Sequence, residues 1–325
     1  MVVRTASHAG SWYTANGKQL SQQLDGWLAA VPSSTTPIGT ASSQQGAVAI
    51  PTPHARAIIA PHAGYSYSGP AAAWAYKSAD WANAKRVFLL GPSHHHYLPG
   101  AATTGCDKYA TPLGELMVDT ALVQEIKSSW GLETMSQDVD EAEHSLEMHL
   151  PYIYKMLSLT PSSVALVPIM IGNTSASAES KIGGYLAPYL VDAANVFVIS
   201  SDFCHWGSRF RYTYYQRSDG CEARQVTSNA HVDKDWAIHE SIAAVDKQSM
   251  DAVESGNHKG FLQQLEETGN TVCGRHPIGV FMAAVDKADM GGEKGRFKFV
   301  RYERSSLVEH VRDSSVSYCS AFAVL

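Results

Sequence analysis

Four short apolar runs mark the first predicted elements of the chain. They cover residues 57–60, 87–90, 164–171 and 196–199. Runs of about four to eight aliphatic and β-branched residues without polar alternation are typical of strands that are buried on both faces of a sheet. The pattern therefore predicts four core strands.

Between and after these runs the pattern indicates helices. Helical segments are predicted at residues 69–78, 177–190, 233–245, 250–255, 259–268 and 276–287. Strands that alternate with helices predict an α/β fold, whereas the alternating tail at 297–301 and 315–324 is typical of edge or antiparallel strands. We expect a central, mostly parallel or mixed sheet flanked by helices.

One stretch looks like an insertion. Residues 31–53 are rich in Ser, Thr, Pro, Gly and Gln, with few large apolar residues. Such a composition buries too little apolar surface to order itself well. The rest of the chain has no comparable break, so we expect a single domain over residues 1–325 with a flexible insertion at about 31–53.

Composition narrows the class of protein. The 325 residues carry 25 Lys+Arg against 31 Asp+Glu, a net charge of −6, with no basic block, which argues against a nucleic-acid partner. The N-terminus has no apolar signal region and no run is long enough to span a membrane. Five cysteines without a C-x-x-C pair indicate a reduced compartment, so we expect the cytoplasm, and in addition the nucleus.

Three of the four predicted core strands are followed directly by histidine or aspartate residues. The first is followed by His62, the second by His94, and the fourth by Asp202 and His205. In open α/β sheets, ligands bind outside the carboxyl ends of the strands, so we expect these residues to share one crevice. The third strand ends in Ile171-Gly172-Asn173, without a titratable group, and we expect a simple turn there.

Each of these candidates has a plainer interpretation. His62 could bond its own loop backbone, and His95 and His96 beside His94 fit an exposed turn. Asp202 and His205 are three residues apart, so the carboxylate could orient the imidazole, or it could cap a helix.

The segment around residues 143–149 holds two more histidines. His144 and His149 are five apart, which is about 140° around a helix, so they cannot chelate one ion together. His144 or Glu147 alone could reach the crevice from a neighbouring helix. The alternative is a helix that simply lies on the sheet.

The last candidate is Cys273, in the sequence Cys273-Gly274-Arg275-His276-Pro277. At a helix entrance, the helix dipole and Arg275 would favour its thiolate, although a buried inert cysteine is the general alternative. Two imidazoles and one thiolate could hold Fe(II), Cu(I) or Zn(II), and ligand softness favours copper. A nucleophilic Cys–His pair is the competing chemistry.

Long segments of the chain resemble the Memo family. They are residues 6–13, 57–65, 90–95, 143–152, 200–215, 273–279 and 313–318. The segments follow one order along nearly the whole chain, and the stretch at 31–53 looks like an insertion relative to shorter members.

This resemblance implies a fold similar to class III extradiol non-haem iron dioxygenases. It implies metal ligands His62, His94 and Cys273, where the dioxygenases have a glutamate in place of the cysteine. Copper, as Cu(I), or iron, as Fe(II), would be the cofactor, with no nucleotide. Asp202, His205 and His144 would surround the ligands and move protons.

The resemblance also implies roles in redox control and in motility or growth signalling. Family members are described as binding a phosphotyrosine segment of a receptor; here Trp12, Tyr65, His205 and Arg275 would line that crevice. Three hypotheses stay open: a metal-binding redox protein, a non-enzymatic phosphopeptide-binding module, and a retained dioxygenase. Whether the protein is an enzyme is also left open.

Overall fold

The computed structural model describes residues 1–159, 164–217, 223–227 and 236–325. Within them the helices are α1 (Gly17–Ala30), α2 (Tyr65–Ser78), α3 (Thr120–Trp130), α4 (Gln137–Ala142), α5 (His144–Glu147), α6 (Leu150–Leu157), α7 (Ala176–Leu190), α8 (Ile238–Glu254), α9 (His258–Thr268) and α10 (Arg275–Ala288). The longer strands are β4 (Ala55–Ala60), β5 (Arg86–Pro92), β7 (Lys108–Thr111), β8 (Gly114–Val118), β10 (Ala165–Ile171), β11 (Asn195–Ser200), β15 (Phe297–Arg304) and β16 (Ser315–Val324). The shorter ones are β1 (Val3–Arg4), β2 (Ser34–Thr35), β3 (Val48–Ala49), β6 (Ala101–Thr103), β9 (Glu133–Thr134), β12 (His205–Trp206), β13 (Tyr214–Tyr215) and β14 (Arg224–Gln225).

The main sheet is mixed with a parallel centre. Its strand order is β1-β7-β8-β10-β5-β11-β4-β16-β12, with β15 paired to β16 and β6 to β10. The neighbours β10, β5, β11 and β4 run parallel, and β16 returns antiparallel beside β4. This confirms the predicted α/β fold with a mostly parallel or mixed sheet.

All four predicted core strands are present, and their residues are buried as expected for strands that are covered on both faces. β4 and β11 are buried at every position, and β5 and β10 at all but the first. The register sets Ser200 opposite Ala60 and Ile199 opposite Leu90. The parallel strands β4, β5 and β11 therefore end side by side at one edge of the sheet.

Helices pack on this sheet and position its loops. α2 lies against β4, β15 and β16, while α10 lies against β5, β11 and α7. Two helices predicted at 233–245 and 250–255 are instead the single helix α8. The polar residues between the two segments were interpreted as a break in the helix. Asp246 and Ser249 are instead buried in the protein, where they form hydrogen bonds. Residues 233–235 lie outside the described part of the chain.

The segment at 31–53 forms a short β2–β3 hairpin and a 3-10 turn at Ser42–Gln45. The backbone amide of Thr40 donates to Asp251 at 2.7 Å, and the hydroxyl of Ser42 donates to Glu254 at 2.9 Å. These contacts tie one side of the segment to α8; its flexibility stays a prediction.

The predicted antiparallel tail is confirmed by the β15–β16 pair. Most of the structure between β5 and β10 was not predicted, including β6 to β9, α3, α4 and α6. In the described residues, no helix is both long and apolar enough to cross a membrane.

Candidate metal and ligand site

His62 lies two residues beyond β4 and is buried. Its Nδ1 is 2.6 Å from the hydroxyl oxygen of Ser200, and that hydroxyl donates to the carbonyl of Ser145 at 2.8 Å. A hydroxyl has one proton to give, so His62 Nδ1–H must be the donor toward Ser200. His62 Nε2 therefore carries the lone pair, and it faces Cys273 Sγ at 3.1 Å. Burial, then the neighbouring histidines, hold the pKa of His62 well below its usual value, so the ring is neutral.

His94 lies two residues beyond β5 and is oriented by a buried carboxylate. Its Nδ1 is 2.8 Å from Glu143 Oε1, and its backbone amide donates to Glu143 Oε2 at 2.6 Å. Although burial of Glu143 opposes ionisation, hydrogen bonds and charge from His94 lower its pKa to about 2. Glu143 is thus an acceptor only, so His94 donates from Nδ1, and Nε2 is the ring atom left for a metal. This carboxylate–imidazole pair is typical of metal-binding histidines.

His144, at the start of α5, is the third imidazole of this group. Its ring stacks on His94 with 4.4 Å between ring centroids, and it lies edge-on to His62 at 5.4 Å. One ligand nitrogen from each of the three rings lies within 4.8 Å of the others. Burial, then His94, lower the pKa of His144 to about 3. These three residues are called the imidazole cluster below.

One atom of the cluster is unusual. His144 Nδ1 is buried and has no hydrogen-bond partner among the described residues. A buried polar atom without a partner is costly, and a metal ion is one group that would satisfy it. His149 Nε2 is also buried without a hydrogen-bond partner among the described residues, while His149 Nδ1 lies 2.7 Å from the Tyr76 hydroxyl in the core. That His144 and His149 do not bind one ion together stays a prediction.

Cys273 lies beside His62, two residues before α10. Its Sγ is 3.1 Å from His62 Nε2, and the backbone amide of Asp202 donates to Sγ at 3.1 Å. The expectation that the helix and Arg275 favour the thiolate is wrong for the protein alone. Burial, then the charge of Asp202, raise the pKa of the Cys273 thiol well above its usual value. Cys106, Cys204 and Cys319 are buried and free, and Cys221 lies outside the described residues.

Asp202 and His205 follow β11 and hold the surrounding loops. The Asp202 carboxylate accepts the backbone amide of His62 at 2.8 Å, and burial raises its pKa to about 7. His205 Nδ1 donates to the carbonyls of Phe203 and Thr271, at 2.8 Å and 3.2 Å. Asp202 therefore orients the His62 loop rather than His205 directly.

The crevice beside the cluster has a volume of about 430 Å³. It is lined in part by His94, Cys273, exposed Arg275, His276 and Asn173. The loop after β10 thus borders the crevice, which goes beyond the simple turn predicted for Ile171-Gly172-Asn173.

Two aromatic residues were predicted to line the crevice. Trp12 is partly exposed and its ring lies 4.5 Å from that of His144, at 30° between planes. Tyr65 is 4% exposed and its hydroxyl donates to the carbonyl of Met148. This corrects the prediction for Tyr65, which belongs to the packing beneath the crevice.

Sequence reasoning missed two orienting groups, Glu143 and Ser200. The only available signal is chemical: a metal-binding histidine needs an acceptor for its second nitrogen. That requirement does not say which acceptor the fold supplies, because Glu143 is 49 residues from His94 along the chain.

Comparisons with known proteins agree along the whole chain. A family model described as Memo-like protein matches residues 4–322. Protein MEMO1 of Xenopus laevis is 44% identical over 324 residues, which is 100% of this chain and 98% of the relative. Protein MEMO1 of Homo sapiens is 42% identical over 320 residues, 98% of this chain and 97% of the relative. Protein memo-1 homolog of Caenorhabditis elegans is 40% identical over 318 residues, 98% of this chain and 81% of the relative. The chain belongs to the Memo-like protein family.

Proposed function

We propose that this protein is a metal-binding redox protein, with copper or iron held at the carboxyl edge of the sheet. The observation that carries the proposal is the imidazole cluster. His62 and His94 each have Nδ1–H committed to an acceptor, so both Nε2 lone pairs remain for a metal.

The residues present fit a soft or borderline metal ion. His62 and His94 belong both to the imidazole cluster and to the ligand set that the family resemblance implies. Cys273 is the third ligand of that implied set. His144 is a fourth donor, because one of its ring nitrogens lies within 4.8 Å of a ligand nitrogen of His62 and of His94. Imidazole and thiolate ligands suit Cu(I) and Zn(II) and also allow Fe(II), and the thiolate favours copper. When bound, copper or iron would supply one-electron redox chemistry.

The protein's own residues would do the remaining work. Glu143 and Ser200 hold the ligand rings, and Asp202 holds the loop that carries His62. Metal binding requires the Cys273 thiol to lose its proton, because the thiolate is the ligand. Asp202 and His205 are the nearby groups that would pass that proton to solvent. Binding should therefore release a proton and strengthen as the pH rises.

Metal analysis tests this proposal. Protein purified without a metal-affinity tag is dialysed against Cu(I) or Fe(II) under anaerobic conditions and its metal is measured. We expect about one ion per chain in the wild type, and loss of the ion in His62→Ala and in Cys273→Ser. His96→Ala, an exposed histidine on the same loop as His94, is the matched control and should keep its metal. No stoichiometric metal in the wild type would overturn the proposal.

A (phospho)peptide-binding module is the second candidate. Arg275 is exposed at the crevice, and a guanidinium there could bind a phosphate group. Tight binding of a phosphotyrosine peptide to metal-free protein, lost in Arg275→Gln, would favour this function. Ring cleavage of a catechol by the iron-loaded protein would instead support a retained dioxygenase.

We also propose the cytoplasm and nucleus as its location, and a role in growth or motility signalling, by family resemblance. Imaging of the tagged full chain, followed by fractionation, checks the location.

A further inference from the structure

A second group of titratable side chains lies next to the crevice and is used by neither the cluster nor its loops. Glu179, on α7, is buried and bridges two histidines. Its Oε1 is 2.6 Å from His276 Nδ1, and its Oε2 is 2.6 Å from His258 Nε2. The hydroxyl of Thr174 lies 3.3 Å from the same carboxylate. His276, Glu179 and His258 are called the His–Glu–His triad.

Space for the triad is provided by a glycine. A Cβ on Gly279, one turn into α10, would lie 2.3 Å from Glu179 Oε2 and 3.0 Å from His258 Nε2. Any larger residue would push the carboxylate off its two partners. The close fit indicates a built arrangement rather than a chance contact.

The triad fixes one tautomer of His276. Burial opposes ionisation of Glu179, but hydrogen bonds from His258 and His276 outweigh it and lower its pKa. The carboxylate is therefore an acceptor, and His276 donates from Nδ1. Its Nε2 then remains for the crevice, which His276 lines together with His94, Cys273 and Arg275.

Charge explains why there are two histidines. Glu179 is a buried carboxylate whose ion-pair partners among the described residues are His258 and His276 alone. A buried charge is costly unless it is compensated, and one imidazolium is enough to do this. His258 lies on the far side of Glu179 and lines a separate cavity of about 470 Å³. When His276 gives up a proton, His258 can carry the compensating charge.

We propose that His276 is an acid–base residue of the crevice, oriented by Glu179 and charge-coupled to His258. The ligand is a small molecule bound in the crevice through an oxygen atom. As an acid, the His276 imidazolium loses its Nε2–H proton, an O–H bond forms on the ligand, and the ring becomes neutral while its Nδ1–H stays on Glu179. The imidazole is reprotonated from solvent. Glu179 and His258 are positioning residues. This inference rests on the proposed function in taking the crevice as the place of chemistry.

The first experiment needs no metal. Long-range ¹H–¹⁵N spectra of histidine-labelled protein report which ring nitrogen carries the proton, and His276→Gln assigns the signal. We expect His276 as the Nδ1–H tautomer when neutral, with this preference lost in Glu179→Gln. His310→Gln, an exposed histidine, is the control and should leave the signal unchanged. Mixed tautomers in the wild type, or no change in Glu179→Gln, would overturn the inference. If Glu179→Gln does not fold, Gly279→Ala serves, because its Cβ would push the carboxylate off His276; an unchanged tautomer preference in that variant also overturns the inference.

The second experiment uses protein loaded with Cu(I) and exposed to dioxygen. Bound Cu(I) would supply one electron to dioxygen and His276 would supply one proton, which would leave Cu(II) and HO₂. We expect His276→Gln to slow the oxidation by at least about tenfold near neutral pH and to flatten its pH profile. His258→Gln should move the profile to higher pH, because His276 alone then compensates Glu179. Identical profiles in wild type and His276→Gln would refute proton transfer. If the protein binds no metal, the proposed function fails, and the NMR experiment decides this inference by itself.

Discussion

Replacing Glu143 by Gln tests whether the His94 tautomer is what prepares the metal site. Glu143 accepts three hydrogen bonds: His94 Nδ1–H at 2.8 Å, the His94 amide at 2.6 Å and the Ser145 amide at 2.9 Å. Gln has nearly the same shape but one acceptor oxygen and an NH₂ group. In either orientation the NH₂ must face at least one of these donors.

The cost follows from that mismatch. If the NH₂ faces Nδ1, His94 must give up its Nδ1–H and protonate Nε2, which blocks the metal-binding atom. If it takes the place of Oε2 instead, it faces the His94 backbone amide and disturbs the loop that carries the ring. Loss of such an orienting carboxylate typically lowers metal affinity by about 10–100-fold, or about 1.4–2.7 kcal/mol.

Affinity is measured by competition with a chromophoric Cu(I) chelator under anaerobic conditions, and unfolding in urea checks that Glu143→Gln remains folded. Glu133→Gln is the matched control, because Glu133 is exposed and lies in the short strand β9. An unchanged affinity in a folded Glu143→Gln protein would refute the argument that the carboxylate fixes the tautomer.

Three further predictions concern stability. Arg4→Met leaves the buried Glu147 carboxylate without the guanidinium that lies 2.7 Å away, and should cost about 3–5 kcal/mol in urea unfolding. Because burial raises the Asp202 pKa from 3.8 to about 7, its carboxyl favours the folded state fully below about pH 4, and this advantage is lost as the pH rises through 7. Stability of wild type minus Asp202→Asn, from urea unfolding of metal-free protein, should therefore fall by about 4 kcal/mol across that range; a flat difference contradicts this. Gly172→Ala places a Cβ 1.9 Å from the carbonyl oxygen of Leu98, so thermal unfolding should show a loss of about 1–3 kcal/mol or more.

The core of the fold was predictable because burial on both faces leaves a direct mark on the sequence. β4, β5, β10 and β11 are continuous apolar runs, and parallel strands must end at one edge. The short strands β6 to β9 carry no such mark. β7 and β8 alternate buried residues with more exposed ones, but over only 4 and 5 residues. An alternation this short cannot be distinguished from a loop sequence.

The site was predictable to the extent that its residues follow the strands. His62 and His94 were found from their positions after β4 and β5. His276 was part of a quoted motif, yet nothing in the sequence connects it to Glu179, which is 97 residues away on α7. Partners from distant helices become visible only once α7 and α10 are packed together.

Whether Cys273 or His144 is the third metal ligand can be decided by experiment, because the two side chains differ in their protonation. Cys273 Sγ and His144 are both near His62, yet they would serve different ions. Burial keeps the Cys273 thiol protonated until a metal is bound, whereas His144 is already neutral with a bare nitrogen. Binding through sulfur must therefore release a proton and weaken at low pH, while binding through His144 need not. The number of protons released per bound ion consequently distinguishes the two ligand sets.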